Sequence, residues 1–148
     1  MKIPTIKTLG TLINRSDAGL STPKRKTTTT KQAVGDFAED LAHHFLQKNG
    51  LTIVQRNFLC KAGEIDLIVL DRKKNEPTLV FVEVRYRSKQ TFGGGLESIT
   101  ASKQAKLRRS AHMFLLQEGT PQIACRFDVI SVSGVAKNPK INWIENAF

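Results

Sequence analysis

Two runs, GEIDLIVLD at 63–71 and TLVFVEVRYR at 78–87, decide the fold of this chain. Both are strongly β-prone, the first through Ile65, Ile68 and Val69 and the second through its valines with Phe81 and Tyr86. The polar connection RKKNEP at 72–77, with Asn75 and Pro77, joins them in the manner of a β-hairpin. Their polar cargo is unusual. Asp66 interrupts the first apolar run and Glu83 the second, with Arg85 two residues beyond. A carboxylate buried without a partner is costly, so two in facing strands require a cation, a proton or a counter-charge.

Side chains alternate along a strand, so Glu64, Asp66, Ile68 and Leu70 are expected on one face of the first strand. Phe81, Glu83, Arg85 and Arg87 are expected together on the second. If the register sets Asp66 opposite Glu83, their Cβ atoms stand roughly 5 Å apart. At that range a hard cation such as Mg²⁺ or Mn²⁺ would bridge them, with water and a substrate phosphate completing its oxygen shell. Such an ion can activate water and stabilise charge on a phosphorus centre, and a cation on the same face would add to it. A salt-bridge ladder, with Asp66 or Glu83 paired to Arg85, Arg87 or Arg126, satisfies the same spacing.

Outward from the hairpin, Val34, Phe37, Ala38, Leu41, Ala42, Phe45 and Leu46 recur at helical spacing and predict a helix over 32–49, ended by Gly50. Glu39 lies about 100° from Ala38, on the border of that stripe, while Asp36 and Asp40 point away. His43 and His44 are neighbours that cannot face one ligand together, and His112 is expected at the surface. Residues 51–58, LTIVQRNF, read as a strand. The segment SKQTFGGGLE at 88–97 contains three consecutive glycines and Lys89, and is expected to be mobile, either a flap over a substrate backbone or a plain connection. A second helix follows over 101–117, with Thr100 or Ser102 as N-cap, an inner stripe of Leu107, Ala111, Phe114 and Leu115, and Gly119 and Pro121 at its end. Lys103, Lys106, Arg108 and Arg109 make the remaining surface cationic. QIACRFDVISV and INWIENAF complete the chain as two further strands. The order α-β-β-β-α-β-β predicts an α/β fold with a mostly antiparallel sheet and a helix on at least one face.

The 148 residues suit one domain with a core, and 40% hydrophobic with 24% charged residues is ordinary for a globular chain. The net charge of +10 is not ordinary. Residues 1–31 hold seven bases and one acid, a net +6, in a low-complexity stretch expected to be a disordered arm, leaving +4 for the domain at 32–148. A basic balance favours polyanionic partners. Cys60 and Cys125 have no metal-site spacing and read as buried thiols in a reducing compartment. No apolar run is long enough for a membrane helix, and no secretory signal is evident. A cytoplasmic protein with no membrane partner is expected.

Taken as a set, the motifs are more specific. Gly35, Glu39, Arg56-Asn57, GEIDLI, FVEVRYR, FGGG, Lys103 and RFDV occur in the order found in the YraN-like family of small bacterial proteins. This resemblance spans residues 32–132, and the family is similar in turn to the PD-(D/E)xK nucleases, Holliday-junction resolvases in particular. It implies a restriction-endonuclease-like α-β-β-β-α-β core with a mixed, mostly antiparallel sheet. It also implies a Mg²⁺- or Mn²⁺-dependent endonuclease acting on DNA, branched or single-stranded. Asp66 and Glu83 would be its metal-binding acids and Glu39 its helical glutamate. Arg85 stands where the superfamily has lysine. Arginine stays protonated, so it can hold a phosphate but not act as a base, and Lys103 or Lys106 could take the lysine's place. Arg87, Lys89, Lys103 and Lys106 would contact nucleic acid, and a resolvase-like activity would call for a homodimer. The departure at Arg85 equally fits a catalytically inactive nucleic-acid-binding protein that retains the fold.

Overall fold

The computed structural model describes residues 30–73, 76–87 and 99–148. Helix α1 spans Thr30–Lys48, followed by strands β1 (Thr52–Cys60), β2 (Gly63–Asp71) and β3 (Thr78–Arg87). Helix α2 (Ala101–Glu118) precedes β4 (Ala124–Val135) and β5 (Asn138–Ile144). The element order is the one predicted, although α1 takes in Thr30 and Lys31, which were expected in the arm. The rest of that arm and the glycine segment with Lys89 lie outside the described residues. β1 runs two residues further than expected. β5 ends before Glu145, where Asn146 takes a positive φ of 50° and the Ala147 amide donates to Phe127 O at 2.7 Å.

The five strands form one sheet in the order β1-β2-β3-β4-β5. Three neighbouring pairs are antiparallel, and β3 and β4 are parallel, joined by the crossover through α2. The fold is therefore mixed α/β with a mostly antiparallel sheet. Each face carries a helix. Ala38, Ala42 and Leu46 of α1 pack on Leu67, Val69, Val80, Val82, Ile130 and Val132. Leu107, Ala111 and Phe114 of α2 pack on Ile68, Leu70, Leu79 and Phe81. Phe114 meets the rings of Phe58 and Phe81 edge-on at 5.2 and 6.1 Å, and burying each such ring contributes about 1.5–3 kcal/mol.

Local chemistry fixes the helix ends. Gly50, at φ 80°, stops α1, with its amide donating to Gln47 O and that of Leu51 to Leu46 O. Thr100 caps α2 by accepting from the Lys103 amide, and Gly119 closes it in the left-handed conformation. Two expectations fail. The thiols are not buried, since Cys60 is half-buried and Cys125 exposed. Nor is alternation uniform along β2. Ile65 packs under α2 beside Ile68, although strict alternation would turn it to the other face.

Candidate functional site

That irregularity lies at the end of the β2–β3 ladder. The antiparallel pairs run from Asp71↔Thr78 to Leu67↔Val82 and stop there. The next pair in register would be Asp66 with Glu83. Instead, the Val84 amide donates to Asp66 Oδ2 at 2.7 Å, so a side-chain carboxylate stands in for the ladder's next carbonyl. β3 meanwhile keeps its parallel pairing with β4 as far as Arg87↔Ser133. A wedge therefore opens where β2 and β3 part, and Asp66 sits in it.

Residues from β3, α2, α1 and β1 surround Asp66 in the wedge. Glu83 on β3 is buried, at 8% exposure, and its Oε2 lies 3.0 Å from Lys103 Nζ on the first turn of α2. The contact is an ion pair without an aligned hydrogen bond, so Glu83 Oε2 retains unused acceptor capacity. Part of the Asp66 surface reaches solvent, yet the group is closely packed. Burial pushes its carboxyl up to about 7, helped by the neighbouring Glu83 and, less strongly, Glu39. The Val84 amide and Lys103 pull the other way. Glu39 on α1 is also raised, by burial first, against a downward pull from Asn57 and Arg56.

Asn57 belongs to the family pattern, which implies no role for it. Its Nδ2 donates to Glu39 Oε2 at 2.8 Å, and its backbone has φ 49°, a left-handed conformation that asparagine tolerates better than most residues. It falls between the pairs Arg56↔Leu67 and Phe58↔Ile65, opposite Asp66. Arg56 beside it pairs with Asp40 at 2.6 Å. The polar pair inside LTIVQRNF was the only signal of this in the sequence.

The predicted residues thus divide. Asp66, Glu83 and Lys103 come together, with Glu39 within electrostatic reach. Arg85 and Arg87 follow Glu83 along β3, half-buried opposite Ser131 and Ser133. Lys106 is exposed one turn further along α2, and Lys89 lies outside the described residues. His43 and His44 stack on each other, and His112 is exposed. Arg126 takes no part in a ladder with Asp66 or Glu83. It holds Asp71 at 2.8 Å, Asp128 at 3.0 Å and Glu145 at 3.2 Å. Asp128 is fully buried and also accepts from Trp143 Nε1 and the Asn146 amide. Strand spacing could not reveal this network, because its partners come from three separate strands and the turn after β5.

Among the described residues, no group of three or more His, Cys, Asp and Glu side chains is disposed to hold a metal ion. Two adjacent carboxylates whose repulsion already raises one of them still form an oxygen donor set suited to Mg²⁺, which takes one or two carboxylates and keeps several waters.

The profile of the uncharacterised protein family UPF0102 matches residues 38–132, from the middle of α1 to β4. The chain belongs to the UPF0102 family. A UPF0102 protein of Herminiimonas arsenicoxydans is 44% identical over 129 residues, covering 87% of this chain and 97% of the relative. UPF0102 proteins of Pseudomonas savastanoi pv. phaseolicola and Legionella pneumophila are each 46% identical, covering 81% and 79% of this chain and 96% and 95% of the relatives. This is the YraN-like family to which the sequence motifs pointed. The UPF0102 match spans every wedge residue, Glu39, Asn57, Asp66, Glu83 and Lys103.

Proposed function

We propose that this UPF0102 protein is a metal-dependent endonuclease with a PD-(D/E)xK-like core, acting on DNA phosphodiester bonds. The observation that carries the reading is the opened ladder. Asp66 and Glu83 adjoin where β2 and β3 separate, and Lys103 reaches them from α2.

In this reading Asp66 and Glu83 would hold a Mg²⁺ or Mn²⁺ ion, which when bound would supply charge neutralisation at the phosphate and activation of water. The chain's own residues do the rest. The Val84 amide fixes the Asp66 carboxylate by donating to Oδ2 and leaves Oδ1 for other partners. Lys103 holds Glu83 and brings a primary ammonium to the site, the group that Arg85 cannot supply. Arg85, fixed in its protonated form, is suited to grip a phosphate oxygen from β3. Glu39, steadied by Asn57, adds negative potential at the wedge and orients water. Arg87, Lys89 and Lys106 contribute phosphate contacts outside it. Symmetric cutting of branched DNA would require a homodimer.

A second reading has its own support. Asn57 donates to Glu39 and Lys103 counters the charge of Glu83, which suits a nucleic-acid-binding protein that keeps the fold without turnover. One experiment separates the two. Purified protein is incubated with labelled linear duplex, branched and single-stranded DNA in Mg²⁺ or Mn²⁺. Scission that disappears in Asp66→Ala and Glu83→Gln is the expected result. Scission persisting in both variants overturns the site, and salt-sensitive binding without product at any metal concentration selects the second reading.

A further inference from the structure

Outside the wedge, the outer side of α2 and the β1–β2 turn enclose an open groove of about 620 Å³. Lys61, Ala62, Arg108, Arg109, His112 and Met113 line it. Three of the six carry fixed positive charge, a fourth is a histidine, and none is acidic. The walls are held in place. Arg108 lies over the Phe148 ring at 5.2 Å, and its Nη1 donates to Gln104 Oε1 at 3.3 Å. Lys61 sits on a two-residue turn ended by Gly63, whose φ of 146° disfavours any side chain. A Cβ at Gly63 would stand 3.6 Å from Ser110 Oγ and 3.9 Å from Lys106 Cβ, ordinary contact distances that place the turn against the helix. Aliphatic stems and Met113 make the floor apolar beneath a cationic rim.

We infer that this groove binds the phosphodiester backbone of a nucleic-acid strand, as a site separate from the wedge. Helix α2 connects the two. Lys103 meets Glu83 on its first turn, Lys106 lies beside Gly63, and Arg109 opens onto the groove. At about 1.5 Å and 100° per residue, Lys103 and Arg109 are roughly 9 Å apart along the axis and about 120° apart around it, so the wedge and the groove lie on different sides of the helix. An apolar floor under a cationic rim accommodates a chain with charged links and apolar base faces. A flat acidic protein surface would meet the rim and leave the groove unfilled. The inference rests on the nucleic-acid part of the reading above, not on cleavage.

The test uses fluorescence anisotropy of a labelled single-stranded oligonucleotide and of its duplex, across a KCl titration in EDTA. Wild-type protein is compared with the Lys61→Gln/Arg109→Gln double variant and with Lys48→Gln, an exposed control at the end of α1. The double variant should bind more weakly. The slope of log affinity against log salt should be shallower by about 1.8 on duplex or about 1.4 on single strand, and the larger loss identifies the form the groove prefers. The inference is overturned if the double variant keeps wild-type affinity and slope on both probes, or if wild-type protein binds neither. It also fails if the substitutions dissociate a dimer while leaving DNA binding intact. Because metal is absent, failure of the cleavage reading leaves this result unaffected. Conversely, Asp66-dependent scission with an unchanged salt slope would remove the groove alone.

Discussion

Replacing Asp66 by asparagine should make the metal-free protein more stable at alkaline pH. The oxygen of the introduced carboxamide can still accept from the Val84 amide, so the 2.7 Å contact that ends the ladder survives. What disappears is a charge beside Glu83. The Asp66 carboxyl titrates at about 7 in the fold against an ordinary 3.8, a gap of roughly three pH units at about 1.36 kcal/mol each. The native state therefore holds one more proton than the unfolded chain between those values, and stability falls as pH rises through the window. Asp66's contribution is fully present below pH 3.8, declines towards 7 and is exhausted above it. The ceiling on the loss is about 4 kcal/mol, and partial solvent contact places the expected value nearer 2–3 kcal/mol. Guanidinium denaturation of both proteins in EDTA, from acid to alkaline pH, measures it. The difference between them isolates Asp66 from other titrations. Wild type minus Asp66→Asn should fall steadily between about pH 4 and 7, then level. A flat difference, or one rising with pH, would mean that Asp66 is held by a counter-charge, and the wedge would be a salt-bridge site. Adding Mg²⁺ at alkaline pH should then raise the stability of the wild type and leave the variant unchanged, since a ligand stabilises only the state that binds it.

Other substitutions probe the surroundings. Arg126→Met should cost about 3–5 kcal/mol in equilibrium denaturation, because it strands the buried Asp71 and Asp128 together. Arg126 and the Lys73 amide hold the Asp71 carboxyl below its ordinary value despite burial, so that support is present above the ordinary carboxylate range and fades as pH falls through it. Phe114→Ala, which removes the ring between Phe58 and Phe81, should lower stability by about 3–5 kcal/mol by the same measurement. Asn57→Gly keeps the left-handed backbone and releases Glu39. Its melting temperature should stay near wild type, while any metal-dependent scission falls, and an unchanged rate would remove Glu39 from the site.

The features that sequence revealed are those governed by local rules. The limits of β3 follow from the β-branched run between Pro77 and Arg87, and those of α2 from Thr100 and Gly119, which act within one turn of their own positions. Burial of Ala38, Ala42, Leu46, Leu107, Ala111 and Phe114 follows from the helical period. What escaped depends on partners far along the chain. The Arg126 network joins β2, β4 and β5, and no spacing rule links Asp71 to Arg126. Cys60 appeared buried because it ends an apolar run, yet the run ends at an edge strand's turn. There burial raises the thiol, but its hydrogen bond to Ser110 Oγ and those with the backbone of Ala62 and Gly63 outweigh it and hold it below its ordinary value.

The candidate site lies at the boundary between these two kinds of information. Asp66 and Glu83 stood out because each breaks an apolar strand, which is a local signal. Their arrangement follows from a conflict. β3 is committed to β4 over ten parallel pairs, whereas its pairing with β2 covers only five. Something must satisfy the Val84 amide where β2 departs, because a buried N–H left unpaired is costly. The Asp66 carboxylate does so, and in that position it comes beside Glu83 with its charge poorly solvated. An asparagine would close the ladder's end equally well and without repulsion. Backbone satisfaction alone therefore does not explain an acid at this position, while a cation or phosphate-bound metal at the open wedge would.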